Sequence, residues 1–172
     1  NDWVVTQRLL AARGVEVSLE DVTKRFEAIY QGTEDKPGLR STETLMVDRR
    51  WVEDLARTYP LAIVTGRPRA DAERFLQEKG IREFFENLVC MEDAELKPSP
   101  EPVRLALEKL GKTRAWMLGD TPDDLVAARG ASVVPIGVVP PGERPDDVKL
   151  TLQQAGAACV LDKTEELTER LK

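Results

Sequence analysis

The spacing of apolar residues changes character along the chain. Over residues 2–13, Val5, Leu9 and Leu10 fall on one side at helical spacing, and Gly14 reads as the stop. Ser18-Leu19-Glu20-Asp21 resembles a capping box with Asp in the Glu position. It predicts a second helix carrying Leu19, Val22, Phe26, Ile29 and Tyr30 on one face and ending near Gly32. Residues 31–41, with Lys36-Pro37-Gly38, predict a polar connection and a boundary between a small helical module, residues 1–44, and a main domain, residues 45–172. A helical period returns from Leu45 to Tyr59, with Val47, Trp51, Val52, Leu55 and Ala56 as the apolar face.

Beyond Tyr59 short continuous apolar runs take over. They are Leu61–Val64, Leu88–Met91, Ala115–Leu118, Val133–Val138 and Ala158–Leu161. Helical stretches fill the gaps at about 70–79, 101–110, 122–129, 147–155 and 164–171. Apolar strands alternating with helices predict an α/β domain with a parallel sheet covered on both faces. Ligands of such sheets bind at the carboxyl ends of the strands. Thr65-Gly66-Arg67-Pro68 stands at the first of those ends, and Lys97-Pro98-Ser99-Pro100 follows the second. Gly119-Asp120-Thr121-Pro122-Asp123-Asp124 follows the third.

A hydroxyl, an ammonium and carboxylates are thus predicted to share one rim. Lys and Thr can hold phosphoryl oxygens, and carboxylates can hold Mg²⁺, a hard ion that prefers oxygen ligands. Phosphoryl transfer asks for little else from a protein. Each segment alone has an ordinary alternative: a turn, a surface lysine, and a helix start with Asp120 or Thr121 as N-cap. Their order along one rim favours a site. Arg67 and Arg69 stand near the rim as well, whereas Trp3, Trp51 and Trp116 sit on apolar faces and are expected in the core. Gly111-Lys112-Thr113 is not the end of a P-loop, because Ala106 occupies the position of the required glycine.

Composition narrows the chemistry. The 172 residues contain no His, which removes Ser-His-Asp and Cys-His catalysis, His-ligated zinc and any imidazole base. A net charge of −6 argues against a nucleic-acid partner. No run approaches the roughly 20 apolar residues of a membrane span. Cys90 and Cys159 are expected as reduced core thiols, which fits a cytoplasmic protein.

Taken together, the Thr65-Gly66-Arg67-Pro68, Lys97-Pro98-x-Pro100 and Gly119-Asp120-Thr121-Pro122-Asp123-Asp124 segments resemble the haloacid dehalogenase-like hydrolases, in particular phosphatases with a helical cap. The resemblance implies a Rossmann-like three-layer α/β/α core over residues 45–172 and the remnant of an α-helical cap over 1–44. It implies that Thr65, with Gly66 and Arg67, binds the phosphoryl group and that Lys97 stabilises the nucleophile and the phosphate. Asp120 would be a Mg²⁺ ligand, and Asp124 an acidic partner of the metal site or of Lys97, with Asp123 the competing choice. Such enzymes hydrolyse small phosphomonoesters through an aspartyl-phosphate, whose aspartate opens a D-x-D motif after the first strand. No D-x-D occurs in this chain. The expectation is therefore a sequence lacking that strand and part of the cap, inactive as it stands. Asn1-Asp2-Trp3, Met91-Glu92-Asp93 and Val138-Val139-Pro140-Pro141 further resemble a subfamily associated with histidine-biosynthesis enzymes. That makes histidinol phosphate a candidate substrate, with phosphoglycolate and sugar phosphates open. The competing expectation is a catalytically dead domain that binds phosphate or a protein partner; a receiver-type phosphoacceptor domain is weaker.

Overall fold

The computed structural model describes residues 2–170, which fall in two compact units, Asn1–Leu45 and Met46–Lys172. In the first unit, helix α1 (Asp2–Ala11) is followed by α2 (Leu19–Gln31). Ser18 caps α2: its Oγ accepts from the Asp21 N–H at 3.0 Å and donates to Asp21 Oδ2 at 2.7 Å. The 31–41 stretch is more than a polar connection. It forms a tight antiparallel hairpin, β1 (Gly32–Thr33) with β2 (Lys36–Pro37), in which Gly32 faces Pro37. Gly32 makes this possible: its φ is +85°, and a Cβ there would lie 2.3 Å from the Gly38 nitrogen.

The second unit opens with α3 (Arg49–Ala56), four residues later than the apolar pattern predicts. Asp48 sets the start, accepting from the Arg50 N–H at 2.7 Å. There follow β3 (Ala62–Val64), α4 (Arg69–Glu78), β4 (Asn87–Val89) and α5 (Glu101–Leu110). The remainder is β5 (Trp116–Gly119), α6 (Pro122–Gly130), β6 (Val134–Val138), α7 (Pro145–Gln154), β7 (Cys159–Leu161) and α8 (Leu167–Arg170). The last expected helix is a 3₁₀ turn, Thr164–Glu166, leading into α8; its residue 171 lies outside the described residues.

All five strands of this unit pair in parallel, but they form two sheets, β3–β4 and β5–β6–β7. Among the described residues β3 and β5 do not pair with each other, so each keeps one edge without a strand partner. The two sheets nonetheless share a core. Val64 of β3 and Met117 of β5 both pack against Val103, Ala127, Ala128 and Val133, which come from α5, α6 and the residue before β6. Leu118, the next residue of β5, packs instead with Ile136, Leu161 and Leu167, together with Trp51 and Leu55 of α3. Neighbouring residues of a strand face opposite sides. The two clusters therefore line the two faces, and helices cover both: a three-layer α/β/α arrangement.

Two expectations about the core need correction. Trp116 is 47% exposed, at the amino end of β5, where its ring meets Tyr59 edge-on at 5.8 Å. Trp3 is only partly buried, whereas Trp51, also part-exposed, packs against the Ile136, Leu161 and Leu167 cluster as expected and donates its indole N–H to Thr168 Oγ1 at 2.8 Å. Cys90 is buried and Cys159 partly so, and both are free thiols.

Candidate active site

The rim at the carboxyl ends of β3 and β5 brings Thr65, Lys97, Asp120 and Asp124 together. Thr65 follows β3 directly, and its N–H donates to the Val89 carbonyl at 2.9 Å, extending the ladder to β4 by one rung. Its Oγ1 accepts from the Arg67 N–H at 3.2 Å, folding Thr65-Gly66-Arg67 into a turn. A hydroxyl has one donor and two acceptor sites. This bond uses an acceptor site and leaves the O–H to donate.

Lys97 ties β3 to α6. Its Nζ donates to the Val64 carbonyl at 3.2 Å and pairs with Asp124 Oδ1 at 2.5 Å. An ammonium has three N–H donors, so one remains for a ligand. Asp124 sits at the third position of α6 and closes a reciprocal capping box. Its Oδ2 accepts from the Thr121 N–H at 3.1 Å and from Thr121 Oγ1 at 2.8 Å, while Thr121 Oγ1 accepts from the Asp124 N–H. Burial pushes the Asp124 carboxyl up. The hydrogen bond and charge of Lys97, with the Thr121 bonds, outweigh it and hold the group below its ordinary value.

Gly119 is why Asp124 can lie so close to the strand. A Cβ at residue 119 would stand 2.2 Å from Asp124 Cβ. Asp120, the next residue, is exposed at the rim. Its carboxyl is pushed up, first by desolvation and then by the negative charge of Asp124. Two carboxylates crowded in this way favour a cation beside them. Among the described residues no group of three acidic, Cys or His side chains is close enough to hold a metal ion unaided. The donor set nevertheless suits Mg²⁺, which binds through one or two carboxylates and fills its remaining positions with waters and substrate phosphate. Asp123, the alternative to Asp124, is exposed on the outer side of α6.

A sequence profile of the haloacid dehalogenase-like hydrolases matches residues 6–138. The chain belongs to this family. An imidazoleglycerol-phosphate dehydratase of Phytophthora nicotianae is 41% identical over 94% of this chain and 39% of its own length. A phosphoglycolate phosphatase of Pectobacterium atrosepticum is 30% identical over 78% of this chain and 59% of its own. The chain thus spans only part of the curated relatives it matches. The crystal structure of a hydrolase from Pseudomonas syringae shares the fold, with a TM-score of 0.73 at 21% identity over 98% of this chain and 77% of that one.

Several features of this candidate site are not visible in the sequence. The Val64 carbonyl becomes a Lys97 acceptor only through the fold. Arg69 does not face the rim: its guanidinium is engaged with the Leu88 carbonyl and with Asp93. Arg67 is exposed beside Thr65, with its guanidinium over the Phe75 ring at 5.3 Å. A cavity of about 860 Å³ opens beside Asp120, between the loops that follow β6 and β7, with Val138, Val139, Pro140 and Asp162 in its lining. Thr65 and Lys97 are not among its lining residues. Gly119 is the residue whose signal was available, as a side-chain-free position directly before an acidic strand end.

Proposed function

We propose that these residues form the phosphate-handling half of a Mg²⁺-dependent phosphomonoesterase. The convergence of Thr65, Lys97 and Asp120 on one rim carries the proposal, with the Lys97–Asp124 pair at its centre. The Thr65 hydroxyl and the free N–H of Lys97 donate to phosphoryl oxygens, and Lys97 neutralises charge that grows during transfer. Asp124 fixes Lys97, since both its oxygens are already engaged. Asp120 offers the direct ligand for Mg²⁺, which when bound supplies further charge neutralisation at the transferring group. Residues 46–172 are the hydrolase core in this proposal, and residues 1–45 belong to a helical cap.

The attacking aspartate of such an enzyme would reside on a strand between β3 and β5, where each of those strands keeps an unpaired edge. We assign it to chain outside residues 1–172. The reaction is hydrolysis of a small soluble phosphomonoester through an aspartyl-phosphate. Histidinol phosphate is the first substrate to try. The relative named imidazoleglycerol-phosphate dehydratase, 41% identical over nearly all of this chain, motivates an imidazole-bearing phosphate as the substrate class. The relative named phosphoglycolate phosphatase makes phosphoglycolate the second.

The test is phosphate release by the complete protein, with and without Mg²⁺. Asp120→Asn is expected to cut Mg²⁺-dependent turnover about 100-fold or more. Near-normal turnover would remove Asp120 from the metal site. Residues 1–172 alone are expected to be inactive towards p-nitrophenyl phosphate, and turnover by them would overturn the placement of the nucleophile. A complete protein that binds inorganic phosphate but hydrolyses no ester would instead be a binding domain.

A further inference from the structure

Thr65 and Lys97 arrive at the rim on separate segments, and a dense hydrogen-bond clasp ties those segments together. The first is the turn from Thr65 to the start of α4; the second is the loop from Cys90 to Lys97. One backbone bond ties the turn to β4, Thr65 N–H to the Val89 carbonyl at 2.9 Å, and one ties it to the loop, Met91 N–H to the Arg67 carbonyl at 3.1 Å. Arg69 supplies the rest from α4. Its backbone N–H is shared by both Glu92 carboxylate oxygens, at 3.0 and 3.1 Å. Its Nη2 donates to the Leu88 carbonyl at 3.2 Å and to Asp93 Oδ2 at 2.5 Å. That same Asp93 oxygen accepts from the Cys90 N–H at 2.6 Å, closing the turn from which the loop runs on to Lys97.

We propose that Arg69 is a positioning residue that, through Asp93 and Glu92, sets the separation of the Thr65 hydroxyl and the Lys97 ammonium. The proposal rests on the phosphatase reading above. Arg69 would touch no substrate, because its guanidinium is committed to Leu88 and Asp93. Three residues lie between Asp93 and Lys97, and a loop that short transmits a change at its root. The Asp93 carboxyl is held below its ordinary value, first by the Cys90 N–H and also by Arg69, so the clasp is charged at neutral pH. A planar guanidinium can satisfy two acceptors in fixed directions, whereas an ammonium is a point charge on a flexible stem.

The experiment compares Arg69→Met, Arg69→Lys, Asp93→Asn and the Arg69→Met/Asp93→Asn double variant in the complete, Mg²⁺-loaded protein. Arg74→Met is the control, since Arg74 pairs with Asp71 at 2.7 Å on the same helix, away from the loop. Displacing a catalytic group by about an ångström costs up to about 100-fold in rate. Arg69→Met and Asp93→Asn are each expected to lower kcat about 10-fold or more, with a smaller change in KM. Arg69→Lys is expected to recover part of the loss, and the double variant to be no worse than the poorer single. Arg74→Met should keep wild-type kcat. Amide hydrogen exchange at Cys90 should quicken in Arg69→Met. Unchanged kcat in a variant whose Cys90 exchange has quickened would overturn the proposal, as would additive losses in the double variant. If the wild-type protein shows no turnover, the phosphatase reading fails, and the clasp is judged on inorganic phosphate followed through the Thr65 and Lys97 amide resonances. Weaker binding by Arg69→Met, about fivefold or more, upholds it, and unchanged binding overturns it.

Discussion

Lys97 carries its charge to a position where its side chain is 20% exposed, beside an Asp124 side chain that is 7% exposed. Removing one member of a buried pair leaves the other uncompensated, which costs more than the pair itself contributes. Asp124 keeps its two bonds from Thr121, so the cost belongs at the low end of the usual range. Lys97→Met should destabilise the chain by about 3 kcal/mol, read from urea unfolding. Asp93 makes a prediction about pH. Its folded-state carboxyl is depressed, so it adds stability above its unfolded pKa of about 3.9. That increment is lost as pH falls from about 4 through the lower folded value. The stability gap between wild type and Asp93→Asn should therefore shrink below about pH 4, and a gap constant down to acid would refute the depressed carboxyl. The choice between Asp123 and Asp124 shows what was legible at this scale. The family resemblance named Asp124, with Asp123 as the competing choice, and the capping box with Thr121 came from the structure. Which carboxylate meets Lys97 depends on how α6 sits against β5, and no local pattern encodes that.

At the amino end of α6 two small features place the acidic residues. Thr121→Ala removes the N-cap and one of the two hydrogen bonds to Asp124 Oδ2, leaving the backbone N–H bond, and should cost about 1 kcal/mol in thermal or urea unfolding. Gly119→Ala should cost more, about 3 kcal/mol, because its new Cβ meets the base of the Asp124 side chain, which has nowhere to swing. If Gly119→Ala is as stable as wild type, Asp124 does not pack on the strand as described. Helices with clear punctuation were readable from sequence. α5 runs over Glu101–Leu110 as expected, with Pro102 in its first turn and Gly111 in a left-handed conformation at its end. The strands were found, but their edges moved by a residue or more, since a short apolar run does not mark where its ladder stops. The Gly32–Pro37 hairpin was missed because its strands are two residues each, too short for any alternation to register. The start of α3 was misplaced because Leu45 and Val47 are apolar without being helical, and the Asp48 cap overrides them.

Across the second unit, backbone pairing is uneven. β6 is hydrogen-bonded to a neighbour on both sides, whereas β3 and β5 each have one. Amides of Val134, Ile136, Gly137 and Val138 should therefore exchange most slowly in the 172-residue chain, with β3 and β5 faster. Equal protection in all three would mean that the free edges are covered. The same division gives the site a further property. Thr65 belongs to one sheet and Asp120 to the other, and no ladder forces the two to fold or open as one. Apolar packing on Val103, Ala127 and Ala128, with the Lys97–Asp124 pair, is what couples them across the gap. A phosphate held by Thr65 and Lys97 on one side and by an ion on Asp120 on the other would act as a rivet between two cooperative blocks. Ligand would then do more than raise the midpoint of unfolding by mass action. It would sharpen the transition, so that occupancy of the site could be read from the steepness of a melting curve as well as from its position.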